Sequence, residues 1–146
     1  MKFSQKDIQN VRRLKAGIFC NLNVNQCIKM KPRDWKNMSI KDKGQKLACK
    51  CKHNGIQDAL HMVYECTATK DIIDIALDKI KHSLNKTDCI QNRKYQKMQR
   101  SNKITYSLTG LRKIGSKKKP TRRQERDVVH AWSKTYTEIN TILTTF

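Results

Sequence analysis

Apolar residues at helical spacing near the middle of the chain constrain the fold more than any other feature. They recur at offsets of three and four residues, which places them on one face of an α-helix. These residues are Ile72, Ile73, Ala76, Leu77, Ile80 and Leu84. Asp71 near the start and His82 towards the end suit the helix dipole. Because one apolar face must pack against another, the pattern predicts a fold built from helices.

Two further segments carry the same pattern. Residues 4–19 begin with Ser4 as a predicted N-cap and place one apolar face on Ile8, Val11, Leu14 or Lys15, and Ile18. A final helix is predicted from about residue 121, with a stripe of Val128, Trp132, Tyr136, Ile139 and Leu143. Residues 20–48, rich in Asn and containing Pro32 and Gly44, predict a loop with little regular structure around Trp35.

Length and composition predict one small domain with a thin core. The chain has 146 residues, of which 37% are hydrophobic and 30% charged, which is lean for a globular protein. The predicted fold class is mainly α: a small helical domain with a zinc-knuckle-like element and a basic C-terminal region. We divide it into a helical zinc-binding module (1–88), a basic tract or linker (89–120) and a C-terminal helix (121–146).

The charge balance predicts a polyanionic partner. Thirty-two Lys and Arg stand against twelve Asp and Glu, a formal net charge of +20, and such a surplus repels itself unless a polyanion lies beside it. RNA or DNA is the predicted partner, because each neutralised phosphate releases a counterion. An anionic membrane surface or an acidic protein would satisfy the same electrostatics. No apolar run approaches the ~20 residues that span a bilayer.

The polar start of the sequence, residues 1–7, shows no targeting segment. We therefore expect an intracellular protein, nuclear or organellar and not evidently secreted; a mature secreted chain with its signal removed would look the same. In a reducing compartment the six cysteines are thiols or metal ligands rather than three disulfides.

Four residues have the types and order of a zinc site. Cys49, Cys51, His61 and Cys66 form a C-x-C-x9-H-x4-C array, and structural zinc takes four thiolate or imidazole ligands in a tetrahedron. The first pair precedes a turn at Gly55, and the second lies on the following helix, which must end or distort by Cys66. Two alternatives stay open: His53 as a competing ligand, and no metal at all. We assign the remaining cysteines, Cys20, Cys27 and Cys89, as structural thiols.

The same segment resembles the zinc-binding domain that follows the polymerase in reverse transcriptases of non-LTR retrotransposons. That family shows a Cys pair, an acidic residue about three positions before a His (here Asp58), and four mostly apolar residues before a closing Cys. The Arg-Leu-Lys-Ala-Gly run at 13–17 resembles the segment that precedes the finger there. The likeness covers roughly residues 8–86, although the Cys pair is one residue closer than is common and residues 20–35 have no counterpart.

The resemblance implies zinc held by Cys49, Cys51, His61 and Cys66 in a module that engages template or target nucleic acid. No Tyr-x-Asp-Asp or Phe-x-Asp-Asp polymerase signature is present in the sequence. The chain is therefore not itself a reverse transcriptase.

From residue 89 to residue 124 the chain has no acidic residue. The cations of this tract are the predicted phosphate contacts: Arg93, Lys94, Lys97, Arg100, Lys103, Arg112, Lys113, Lys117, Lys118, Lys119, Arg122 and Arg123. Tyr95 and Tyr106 are predicted to stack on unpaired bases, whereas Trp35, Trp132 and Tyr136 are predicted to pack in a core or against a partner. The tract could instead be a solvated linker, and residues 117–123 also resemble a nuclear localisation signal.

No catalytic motif supports an enzyme. A Gly-rich phosphate loop and HExxH are both missing, and Asp71, Asp74 and Asp78 lie among lysines, as on a solvated, salt-bridged helix face. The predicted function is nucleic-acid binding around a structural zinc site. The alternatives are a basic structural subunit of a large ribonucleoprotein, such as an organellar ribosome, and a secreted disulfide-bonded helical protein.

Overall fold

A computed structural model describes residues 3–51, 55–87, 89–111 and 120–146, apart from the side chain of Cys89. Of these residues 73% are helical and none belongs to a β-strand, so the predicted mainly α fold is confirmed. The helices are α1 (Gln5–Lys15), α2 (Asn23–Ile28), α3 (Pro32–Asn37), α4 (Ile40–Leu47), α5 (Lys70–Thr87), α6 (Cys89–Gln96), α7 (Arg100–Leu108) and α8 (Arg122–Thr145), with a π-helical turn at His61–Glu65.

The core forms where α8 packs against α5 and α1. Every residue of the predicted α8 stripe is buried: Val128, Trp132, Tyr136, Ile139 and Leu143. The indole of Trp132 is fully enclosed, and its N–H donates to Ser107 Oγ on α7 at 3.1 Å. Thr121 and Gln124 close the first turn of α8 with a reciprocal capping box.

The predicted faces of α5 and α1 are largely correct. On α5 the stripe from Ile73 to Leu84 is buried, and on α1 the N-cap Ser4 accepts a bond from Asp7 N while Val11 and Leu14 are buried. Ile18 departs from the prediction, since 57% of its surface is exposed. The reason is that α1 ends at Lys15 and Gly17 follows with a φ of 71°, so Ile18 no longer shares the helical face.

The prediction of little regular structure in residues 20–48 was wrong. Three short helices, α2, α3 and α4, occupy most of the segment. Pro32 stands in the first turn of α3, and Ser39 caps α4 by accepting a bond from Asp42 N at 3.1 Å. Residues that favour turns therefore serve here as helix starts. None of the three helices has a buried residue.

Residues 89–111, the first part of the predicted tract or linker, form the helices α6 and α7 and the short turns that follow them. Within α6 and α7, Tyr95 and Ile104 are buried in the core that α5 and α8 build. These residues therefore belong to the folded body, and the linker alternative does not hold for them. Among the described residues no helix is long and apolar enough to cross a membrane.

Candidate metal centre

An antiparallel bridge between Ala48 and Ile56 closes the loop that carries the first two candidate ligands. Its flanking bonds run from Cys49 N to Gly55 O and from Gln57 N to the carbonyl of Leu47, each at 2.7 Å. The paired backbone brings Cys49 and Cys51 to the start of the following helical segment, and both side chains are buried.

The π-helical turn brings the second pair of candidate ligands together. In a regular α-helix His61 and Cys66 would lie about 140° apart around the axis. Here Cys66 N donates to His61 O at 2.7 Å, the i→i+5 bond of a π-turn, and the backbone of Cys66 is already extended. The expectation that the helix ends or distorts by Cys66 is confirmed.

The four side chains converge on one buried point. The ligand atoms of Cys49, Cys51, His61 and Cys66 all lie within 4.8 Å of one another. Cys49 Sγ and Cys66 Sγ are 3.8 Å apart, and Cys51 Sγ is 3.2 Å from His61 Nε2. Two thiolates in a tetrahedron with metal–sulfur bonds of about 2.3 Å would be about 3.8 Å apart. The cluster could therefore hold a metal ion.

Neighbouring polar groups orient these ligands. Asp58 Oδ1 accepts from His61 N at 2.8 Å, and His61 Nδ1 lies 3.4 Å from Glu65 Oε2. A carboxylate on Nδ1 leaves Nε2 facing the sulfurs, an arrangement common around metal-bound histidine. Gln57, itself buried, donates from Nε2 to Cys49 Sγ at 3.6 Å.

A positive charge at the centre would stabilise its buried sulfur atoms. Burial, with a smaller contribution from the neighbouring Cys49, raises the pKa of Cys66 to about 12. Two thiolates this close repel each other in a poorly solvated site. A bound cation would remove that repulsion and hold the sulfurs as thiolates.

The cations of the predicted basic tract fall into three groups. Arg93, Lys94, Lys97, Arg122 and Arg123 are exposed. Arg112, Lys113, Lys117, Lys118 and Lys119 lie outside the described residues, as do Lys52 and His53. Arg100 and Lys103 are both half-buried.

Arg100 and Lys103 have structural contacts of their own. The guanidinium of Arg100 bonds Asp74 Oδ1 at 2.8 Å and reaches the carbonyls of Tyr64 and Lys70. Lys103 Nζ lies 5.5 Å from the ring centroid of Tyr95. These contacts tie α7 to neighbouring segments, and the phosphate contacts of both residues stay a prediction.

The prediction that Tyr95 stacks on a base was wrong. Its ring is buried and its hydroxyl donates to Leu77 O at 3.0 Å, so no base can reach it. Tyr106 is half-buried against the same core. Trp132 and Tyr136 are core residues, as predicted, whereas Trp35 is half-buried on α3 and is not part of the core. Gln57 and Glu65, which contact the ligands, were not singled out, because no spacing rule marks a residue that acts by supporting a neighbour.

No disulfide joins the five cysteines whose side chains the structure describes. Cys49 Sγ and Cys66 Sγ, 3.8 Å apart, are well beyond the S–S bond length of about 2.05 Å. Cys20 lies outside the cluster and is exposed, with its sulfur 3.5 Å from Asn140 O.

Comparison with protein-family models, with curated proteins and with solved structures finds no match to this chain.

Gly55 leaves room for the imidazole, which yields a prediction for this site. A Cβ on Gly55 would lie 3.0 Å from His61 Nδ1, so Gly55→Ala is expected to displace the ring and weaken metal binding about 10-fold or more. A competitive chelator titration measures this. Gly44→Ala is the control, because a Cβ there meets no atom within 4 Å. Equal metal affinity for the two variants would contradict the assigned position of His61.

Proposed function

We propose that this chain is a nucleic-acid-binding protein whose fold is stabilised by one structural zinc ion. The buried convergence of Cys49, Cys51, His61 and Cys66 is the observation that carries the proposal. The net charge of +20 supplies the affinity for phosphate. No enzymatic activity is part of the proposal.

The donor set favours zinc. Three thiolates and one imidazole form a Cys₃His set, which suits zinc better than the hard cations that prefer oxygen. Four protein ligands fill a tetrahedron and leave no position for water or substrate, as in a structural site. The resemblance to the zinc-binding domain of non-LTR reverse transcriptases supports the same ligands and the same kind of partner.

Exposed cations at one end of the helical body support phosphate binding. Gln124 Nε2 bonds Thr87 Oγ1 at 2.7 Å and lies 3.4 Å from Gln91 Oε1, which places the first turn of α8 beside α6. Arg122 and Arg123 therefore share this end with the exposed cations of α6. Two arginines in the first turn oppose the helix dipole, and the single acid of that turn, Glu125, offsets only part of the cost. A bound phosphate would stabilise this end further.

The proposal predicts one zinc per chain and salt-sensitive binding to RNA and DNA. Native mass spectrometry is expected to show one equivalent of zinc that a chelator removes. Fluorescence anisotropy with labelled oligonucleotides should show the affinity falling about 10³-fold or more between 50 and 200 mM salt, if at least six phosphates are contacted. A metal-free protein that binds no oligonucleotide at low salt would overturn the proposal.

A matched pair of variants tests the exposed cations of α6 together with Lys97, which directly follows it. Arg93→Gln, Lys94→Gln and Lys97→Gln combined are expected to reduce the slope of log affinity against log salt by about 2 on single strands. The control carries the same charge change on exposed residues elsewhere: Arg12→Gln, Lys79→Gln and Lys134→Gln. Equal slopes for both variants would show that α6 makes no phosphate contacts.

A further inference from the structure

Residues 23–47, which hold α2, α3 and α4, connect two buried positions of the helical body and are called the arm below. The chain enters the arm from Leu22 and leaves it for Cys49, and both of these residues are buried. Between them no residue of the three helices is buried. The arm therefore adds nothing to the core described above, although about 25 residues are ordered to form it, at a cost in conformational entropy.

The two ends of the arm are tied to each other and to the metal centre. Asn23 N donates to Gln57 Oε1 at 2.9 Å, and Asn23 Nδ2 donates to Ala48 O at 2.8 Å. The same Gln57 side chain donates to Cys49 Sγ. Hydrogen bonds through Gln57 therefore link the base of the arm to Cys49, one of the four candidate ligands.

The surface of the arm is basic. Seven cations stand against two acids, Asp34 and Asp42. The cations are Lys29, Lys31, Arg33, Lys36, Lys41, Lys43 and Lys46. Six of these cations are exposed and Lys43 is half-buried beside Trp35, so the arm is a strong local source of positive potential.

The arm also presents large apolar groups. Ile28 is 75% exposed and Ile40 is 90% exposed. Trp35 is only half-buried, and Lys43 Nζ lies 5.4 Å from the centroid of its ring. An indole beside a cation on an exposed helix is a group on which an unpaired base can stack while its phosphate meets the lysine.

We propose that the arm binds single-stranded nucleic acid, with its cations on the phosphates and Trp35 stacked on an unpaired base. This inference deepens the proposed function and rests on it. Seven cations disfavour an ordinary apolar protein partner, and a duplex hides the base faces that Trp35 would meet. A single strand offers phosphates to the cations and unpaired bases to the exposed apolar surface.

Two variants measure separately how much the cations and the stacking of Trp35 contribute to the binding affinity. Lys29→Gln, Lys31→Gln, Arg33→Gln and Lys36→Gln combined should reduce the salt slope for an unstructured oligonucleotide by about 3. Trp35→Ala should weaken binding of that oligonucleotide about 5- to 100-fold, the loss of one stacked base. Because none of these side chains is buried, the variants should keep the wild-type circular dichroism spectrum.

Each of the two variants has its own control. Arg12→Gln, Lys15→Gln, Lys79→Gln and Lys134→Gln combined remove the same charge from exposed residues of α1, α5 and α8. For the stacking, tryptophan fluorescence reports directly, because Trp132 is fully buried and Trp35 is not. Oligonucleotide should quench the emission of the wild type but not that of Trp35→Phe.

The outcomes distinguish this inference from the proposed function. If the wild type binds oligonucleotides and the arm variants bind as tightly as their controls, the arm is not the contact surface, and the proposed function stands. Equal affinity for duplex and single strand, with no change in fluorescence, overturns the stacking role of Trp35. If the wild type binds no oligonucleotide at all, both proposals fail, and an acidic protein becomes the partner to test.

Discussion

Replacing Cys66 by serine is expected to abolish zinc binding and to lower the free energy of unfolding by about 4 kcal/mol or more. Loss of a structural metal is among the few single changes with so large an effect, because binding free energy at such a site is folding free energy. The variant also leaves Cys49, Cys51 and His61 buried around one another without a shared cation. Metal analysis together with urea unfolding followed by circular dichroism measures both quantities.

Cys27→Ser is the matched control for that experiment. Cys27 lies on α2, is half-buried, and is outside the four-residue cluster. The variant should retain one zinc and change the free energy of unfolding by less than about 1 kcal/mol. A Cys66→Ser protein that keeps its zinc and its stability would show that the four residues do not form a metal centre.

Trp132→Ala is expected to destabilise the helical body by about 3–5 kcal/mol. Its side chain is fully buried, so truncation leaves a large cavity that the surrounding side chains fill only in part. Ser107 Oγ also loses the indole N–H that donates to it at 3.1 Å. Denaturant unfolding monitored by circular dichroism gives the change directly.

Two controls define what the Trp132 result means. Trp132→Phe retains most of the volume and should cost less than the alanine variant. Trp35→Ala, on the arm, should change stability by no more than about 0.5 kcal/mol, because the arm contributes no buried residue. A loss below about 1 kcal/mol for Trp132→Ala would contradict the packing of α8 against α5 and α7.

Periodic patterns allowed the core helices to be predicted. The apolar offsets of α5 and α8 select residues that are buried in the structure, among them Ile80 and Ile139. Such patterns succeed because the helical repeat itself decides which side chains share a face. The four candidate ligands could also be predicted from the sequence, because residue type and spacing suffice to propose four thiolate and imidazole donors.

Other features depend on contacts that no local pattern contains. Tyr95 sits in a basic tract, where an aromatic residue suggests base stacking, yet its hydroxyl meets a carbonyl of α5, 18 positions earlier in the chain. Arg100 belongs to the same tract but is held by Asp74. The sequence alone does not distinguish a cation that pairs with a distant carboxylate from a cation that is exposed and able to bind phosphate.

By itself the sequence determined the helical class, the excess of positive charge and the identities of Cys49, Cys51, His61 and Cys66 as candidate ligands. These follow from residue type and from spacing along the chain. Only the tertiary structure decided that residues 23–47 form an arm rather than a loop, and which cations remain exposed. The reason is that burial and ion pairing depend on which segments contact each other in the fold. In addition, a segment with no core residue has no apolar periodicity from which its helices could be predicted.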